Sequence, residues 1–170
     1  TDAFPNEYDN SVHLTFTLNN AETAYSVTNT NIPFISGSLV IPNTYNGLPV
    51  TSIGAYTFDG HSNLTSVVIP NSITSIGSRA FRGCRGLTSV VLPNNITSLS
   101  FQIFDSCDAL SSVIIPDSVI SIGEQTFSDC GLTSIIIPDS VTTIGDSAFL
   151  RCESLSRLSI GKNVRVIKQA

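Results

Sequence analysis

The sequence predicts a solenoid of short stacked coils, α/β repeat or mainly β, sharing a parallel β-sheet and one continuous core. Three observations carry that reading. The stretch Leu64 to Gly86, LTSVVIPNSITSIGSRAFRGCRG, returns as close copies at Leu87, Leu110 and Leu132 and as a partial copy at Leu155. Aligned on that leucine, the units run 23, 23, 22 and 23 residues. In this alignment Phe81, Phe104, Phe127 and Phe149 share one position, and Cys84, Cys107, Cys130 and Cys152 share another. A unit this short cannot bury its apolar residues alone, so it must stack on its neighbours.

Taken in order, residues 1–12 are polar, contain Pro5 and read as an extended lead-in. Residues 13–35 read as a β-hairpin: Leu14, Phe16 and Leu18 alternate onto one face, Asn19-Asn20-Ala21-Glu22 turns, and a second alternating run follows around Tyr25 and Val27. An open solenoid end exposes core residues and strand edges, so this hairpin is expected to cap the N-terminal end. The solenoid itself spans residues 36–170, with units beginning near 36, 64, 87, 110, 132 and 155.

The first unit, Ser36 to Asn63, is longer than the others because NTYNGLP stands between Ile41-Pro42 and Val50. Asn46-Gly47 is expected to form a tight turn with φ above zero, in a loop that projects from the solenoid. Tyr45 and Asn46 are therefore binding candidates, alongside the reading of a passive insertion at an end repeat.

Within a regular unit, LTSVVIP reads as a strand with its first, fourth and sixth residues inward, ended by a proline that cannot donate to the next ladder bond. NSITSIG reads as a second strand whose glycine permits a bend. SRAFRGC reads as a short helical or 3₁₀ turn with its phenylalanine and cysteine inward. Each coil then buries about eight apolar side chains, for instance Leu64, Val67, Ile69, Ile73, Ile76, Ala80, Phe81 and Cys84. Equivalent positions one unit apart also suggest charge pairs between Arg82 and Asp105 and between Arg85 and Asp108. Exposed pairs of this kind contribute about 0 to 1 kcal/mol.

The pattern LxxVxIPxxIxxIGxxAFxxC resembles the leucine-rich repeat, and most closely its BspA-like class of bacterial and protozoan surface proteins. The resemblance covers roughly residues 36 to 167. Ser100 departs from it at the Ile-Gly step, and Ile103 and Thr126 depart at the Ala-Phe step. It implies a secreted or cell-surface protein that adheres to a host matrix protein or to another cell.

Composition narrows the remaining classes. The net charge of −5 and the absence of a clustered basic surface argue against nucleic acid as the partner. Residues 1 to 78 contain no Lys or Arg, whereas Arg151, Arg157, Lys162, Arg165 and Lys168 crowd the C-terminal end, either as solubilising charges or as a docking surface for further repeats. No run of 18 or more apolar residues offers a membrane span. The N-terminus lacks signal-peptide features, so the chain reads as a processed or trimmed fragment.

The four cysteines fall at one repeat position, so they are expected to form an inward column of free thiols rather than disulfides. Ligands supplied one per coil do not converge on a zinc tetrahedron, and no cofactor fingerprint is present. His61 stands at the end of the thiol column and reads as a hydrogen-bonded cap residue. No nucleophile, base and acid come together in the repeat pattern, so no enzymatic activity is expected.

With the first, fourth and sixth strand residues inward, the fifth faces out. Val40, Val68, Val91, Ile114 and Ile136 then form an exposed row flanked by Ser66, Ser89, Ser112 and Ser134. One reading makes this a concave face for recognising a protein or peptide, or for self-association. The other makes the β-branched row a device for cross-strand packing. At the level of function the corresponding alternatives are a non-catalytic adhesion module and a structural spacer within a larger surface protein.

Overall fold

The computed structural model describes residues 14–30 and 35–167. The lead-in at 1–12, His13 and Lys168 lie outside the described residues. The architecture is a β-solenoid whose coils have two strand walls and a third wall of turns.

The chain opens with an antiparallel pair, β1 (Leu14–Leu18) and β2 (Tyr25–Thr30). The first coil supplies β3 (Gly37–Val40), β4 (Thr44–Tyr45) and β5 (Leu48–Ile53). Each later coil supplies two strands: β6 (Leu64–Val68) and β7 (Ser75–Ile76), β8 (Ser89–Val91) and β9 (Ser98–Leu99), β10 (Ser112–Ile114) and β11 (Ser121–Ile122). The series closes with β12 (Ser134–Ile137) and β13 (Thr143–Ile144), then β14 (Arg157–Ile160) and β15 (Val166–Ile167).

In the first wall, β3, β6, β8 and β10 pair in parallel, followed by a separate β12–β14 pair. In the second wall, β2 pairs in parallel with β5, and β5 with β7; β9, β11, β13 and β15 form their own parallel sheet. The hairpin thus adds its strands to the second wall.

Both interruptions trace to sequence. The first wall breaks between β10 and β12, where the repeat is one residue short. There Gly131 passes so close to the Asp108 carbonyl that a methyl group would overlap it. The second wall breaks between β7 and β9, where Ser100 replaces glycine. At Gly77, Gly123 and Gly145 an added Cβ would collide with the backbone of the preceding coil. The glycine is there for clearance, not for the bend expected from sequence. Ser100 carries the extra atoms and donates its hydroxyl to the Ile76 carbonyl at 2.8 Å.

The third wall corrects another expectation. It contains turns and no helix among the described residues. Ala80, Arg82 and Cys84 send their N–H groups to carbonyls three residues back. The intervening Arg79, Phe81 and Gly83 send theirs to the next coil, onto Phe101, Ile103 and Asp105 at 3.0, 3.0 and 2.8 Å. In a helix no alternate residue would donate to a neighbouring coil; beyond the first turn each N–H bonds four residues back. Left-handed backbone at Tyr56, Arg79, Gln102, Gln125 and Ser147, with φ of 52 to 60°, accompanies this alternation.

Between the walls lies one continuous core. Phe58, Phe81, Phe104, Phe127 and Phe149 stack face to face, with centroids 5.1 to 5.8 Å apart and ring planes within 15°. The first four are fully buried. All eight side chains named above for the coil beginning at Leu64 are buried. At about 1.5 to 3 kcal/mol for each large one, this burial is what holds coil to coil.

Candidate functional site

Strand alternation places the fifth-position row on the outer face of the first wall. Register is rung to rung: Val40 pairs with Val68, Val68 with Val91 and Val91 with Ile114. Exposures are 62% for Val40, 52% for Val68, 69% for Val91, 79% for Ile114 and 70% for Ile136. The inward neighbours Val67, Val90, Val113 and Ile135 are buried, so the row is fixed from beneath.

Ser89, Ser112 and Ser134 stand exposed beside the row, and Ser66 is half-buried. Ser66, Ser89 and Ser112 pair in register. One residue earlier, Thr88 and Thr133 donate their hydroxyls to the carbonyls of Thr65 and Ser111 at 3.2 and 3.3 Å. Those hydroxyl hydrogens are used within the wall. Strands β3, β6, β8, β10 and β12 therefore offer methyl groups with small polar atoms beside them and carry no charged side chain, while exposed Asp117 and Asp139 follow the prolines just past β10 and β12. In β14 the pattern changes: Arg157 pairs with Ser134, and Ser159 with Ile136.

Tyr45 and Asn46 lie elsewhere. β4 folds antiparallel onto β5 of the second wall through Asn46 and Gly47, at φ of 49° and 78°. The Asn46-Gly47 tip stands in open space, but Tyr45 folds back from it. Tyr45 stacks on Phe16 at 4.1 Å and meets Tyr25 edge-on at 5.0 Å, because burying three aromatic faces together outweighs leaving one in water. Asn46 stays exposed at the tip.

Electrostatics on the third wall also differ from the sequence reading. Arg82 does not pair with Asp105; it turns back to Asp59 with two hydrogen bonds of 2.9 Å, a carboxylate that the guanidinium fork can grip with two nitrogens. That partner and Asp105 raise the Arg82 pKa further, against the opposing effect of burial. Asp105 is held above the usual carboxylate range by desolvation, which a Ser128 hydrogen bond opposes. Arg85 does approach Asp108, at 3.9 Å.

Sequence reasoning missed a side-chain rail on this wall. Arg79 donates to the Tyr56 hydroxyl at 2.8 Å and to Gln102, which donates to Gln125 at 2.8 Å. The Arg79 guanidinium also lies over the Tyr56 and Phe101 rings, 5.4 and 5.0 Å from their centroids. At the C-terminal end, Arg151 meets Asp129 at 3.4 Å and Lys162 meets Asp139 at 3.2 Å, each reaching one coil back.

The thiols are free. Cys84, Cys107, Cys130 and Cys152 donate to the carbonyls of Phe58, Phe81, Phe104 and Phe127 at 3.0 to 3.2 Å. Burial pushes the Cys84 thiol up to about 12 and raises the other three as well. His61 sets its ring edge-on to Phe58, with Nδ1 3.3 Å from the Asp59 carbonyl. No group of three or more His, Cys, Asp or Glu suited to a metal ion occurs among the described residues. Nor is any described helix long and apolar enough to cross a membrane. A cavity of about 270 Å³ lies at the C-terminal end of the stack, lined by Ile144, Ala148, Phe149 and Ile167, with Ser147 and Arg151 at its side.

A family model described as the BspA type leucine rich repeat region matches residues 51–170 in 6 copies. Among solved structures, the chain is similar to a leucine-rich repeat protein of T. pallidum: 27% identity, TM-score 0.81, covering 92% of this chain and 79% of that one. It is also similar to a leucine-rich repeat protein of Bacteroides ovatus: 32% identity, TM-score 0.80, covering 89% of this chain and 41% of that one. The pneumococcal vaccine antigen PcpA, at 17% identity and TM-score 0.64, shares the fold. A search of curated proteins finds no match.

Proposed function

Since the chain belongs to the BspA-type leucine-rich repeat family, we propose that it is a non-catalytic protein-recognition module working outside the cell, and that it binds through the aliphatic row of the first wall. One observation carries this reading: Val40, Val68, Val91 and Ile114 form an exposed column of aliphatic side chains paired rung to rung on one sheet, and Ile136, exposed on the adjoining sheet, continues it. A contiguous apolar patch of this kind on a soluble surface marks an interaction site. The extracellular setting and adhesion to a matrix protein or another cell rest on the family resemblance.

The test is binding of wild-type protein and a Val91→Lys plus Ile114→Lys variant to a panel of matrix proteins. Two lysines placed centrally in an apolar interface are expected to weaken binding at least tenfold. Equal binding by both proteins removes the row from the account.

A spacer reading is favoured by one feature, the β-branched character of every residue in the row, which suits cross-strand packing. It predicts that the same double variant loses stability and leaves binding untouched.

A further inference from the structure

We propose that the notch at the C-terminal end of the third wall is a peptide-docking site, and that its occupant is the lead-in of a second copy of this chain, seated through Asp2-Ala3-Phe4. The contact is separate from the first-wall row and does not depend on it.

The notch matches one turn segment. In the coil before it, Gln125, Phe127 and Asp129 send their N–H groups to the carbonyls of Asp146, Ala148 and Leu150 at 2.8 to 2.9 Å. The equivalent donors on Ser147, Phe149 and Arg151 meet no acceptor among the described residues. Their backbone is already set for one: Ser147 and Arg151 keep φ of 54°, as Gln125 and Asp129 keep 52° and 53°. Phe149 stacks on Phe127 at 5.6 Å and lines the cavity of about 270 Å³ beside Ile167. At the opposite end of the ring column Phe58 is fully buried, so only this end has a ring to offer. A segment that completes the wall must bring an aromatic ring, carbonyls at three alternate residues and two residues tolerant of left-handed backbone.

The lead-in reads as such a segment. Ala-Phe occurs three times in the chain, as Ala80-Phe81 and Ala148-Phe149 in the third wall and as Ala3-Phe4. Laid on Ser147-Ala148-Phe149-Leu150-Arg151, the stretch Asp2-Ala3-Phe4-Pro5-Asn6 continues the ring column with Phe4. It puts Asp2 and Asn6 on the two left-handed positions, which aspartate and asparagine occupy more readily than most residues. Thr1, Ala3 and Pro5 fall where carbonyls are needed, and proline keeps its carbonyl although it has no N–H.

Charge favours the same pairing. Residues 1 to 12 hold Asp2, Glu7 and Asp9 and no Lys or Arg. The C-terminal end exposes Arg151, Arg157, Lys162 and Arg165. Of these, Arg157 and Arg165 have no ion pair among the described residues. An acidic segment is therefore drawn to this end of a chain whose net charge is −5.

Reach assigns the segment to another molecule. With Asn6 in the notch, the chain from there to Leu14 spans at most about 29 Å when fully extended. Counting coils along the second wall, β1 and β15 are seven steps apart, about 34 Å at ~4.8 Å per step. A lead-in therefore falls short of the notch of its own chain. Each copy offers a lead-in at one end and a notch at the other, so the contact runs head to tail and propagates instead of closing. One turn segment buries little surface, which makes the contact reversible and dependent on concentration.

The experiment uses the full chain carrying Phe4→benzoylphenylalanine, a photoreactive side chain, with circular dichroism confirming the fold. It is mixed with an equal amount of heavy-isotope-labelled wild type at ~100 µM each and irradiated, and the adducts are located by mass spectrometry. Adducts are expected at Ala148, Phe149 or Ile167, with heavy and light chains captured equally. Arg157→Glu plus Arg165→Glu in the labelled chain is expected to cut its capture about fivefold or more at low salt. Val91→Lys plus Ile114→Lys in the labelled chain is expected to leave capture unchanged, which keeps a failure here distinct from a failure of the row. Capture of the light chain alone, capture on the hairpin or the first wall, or no adduct at all overturns the proposal. So does a yield that the charge reversal leaves unchanged.

Discussion

The Cys107 thiol donates a 3.2 Å hydrogen bond to the carbonyl of Phe81, one coil back, and the same bond recurs from Cys84, Cys130 and Cys152. The cysteine column therefore does more than fill volume, because each thiol satisfies a carbonyl inside the core. Cys107→Ala is expected to cost about 1 to 3 kcal/mol, combining lost packing with an unpaired buried acceptor. Cys107→Ser keeps a donor and is expected to cost less. Urea denaturation of both variants decides whether the donor matters.

Burial of these thiols also makes stability fall in alkaline solution. The ordinary thiol value of 9.0 applies to the unfolded chain, whereas burial lifts Cys84 to about 12 in the folded one. Above pH 9 the unfolded state has released a proton that the folded state retains, so stability is full below pH 9 and falls as pH rises toward 12. Three pH units correspond to about 4 kcal/mol at the limit for this one residue. Melting temperature is expected to decline from pH 9 upward, with a shallower slope in Cys84→Ala. At pH 8, Cys152, only partly buried, is expected to react with a thiol reagent before the other three.

Phe104 stacks between Phe81 and Phe127 at 5.7 and 5.8 Å. Phe104→Ala is expected to cost about 3 to 5 kcal/mol, because coils on both sides lose a ring contact and cannot close the gap. Equilibrium unfolding that separates into two transitions would show that the loss uncouples the coils above and below.

The Arg82 pairing can be settled by contrast. Asp59→Asn removes the carboxylate that Arg82 grips and is expected to cost up to about 1 kcal/mol, an effect reduced in high salt because the pair is partly exposed. Asp105→Asn is expected to leave stability unchanged or raise it slightly, because desolvation already disfavours that charge. The reverse order in thermal melts would restore the pairing that repeat arithmetic suggests.

Much of this was readable from residue spacing, and the reasons differ by feature. Inward and outward positions follow from strand alternation and a fixed period, so the burial of Phe81 and Cys84 and the exposure of Val91 are legible in the spacing alone. Phe58 lies 23 residues before Phe81, as His61 does before Cys84, so the same spacing that places His61 at the end of the thiol column places Phe58 in the ring column. Left-handed backbone at Arg79, Gln102 and Gln125 leaves no trace in composition, since these residues seldom adopt it. Which way Arg82 turns depends on carboxylates available on both sides, and spacing names both. Tyr45 meeting Phe16 is a contact between a loop and a distant strand, set by burial of aromatic surface rather than by any local signal.

The central claim is that the outward aliphatic column is where this protein meets its partner, and methyl-resolved NMR tests it most directly. Spectra of dilute protein alone and with each member of the matrix panel are compared for methyl shifts. The account predicts shifts concentrated on Val68, Val91 and Ile114, with the methyls of Val67, Val90 and Val113 beneath them nearly still. Shifts confined to the third wall or to the contacts around Tyr45, with the column silent under every condition, contradict it.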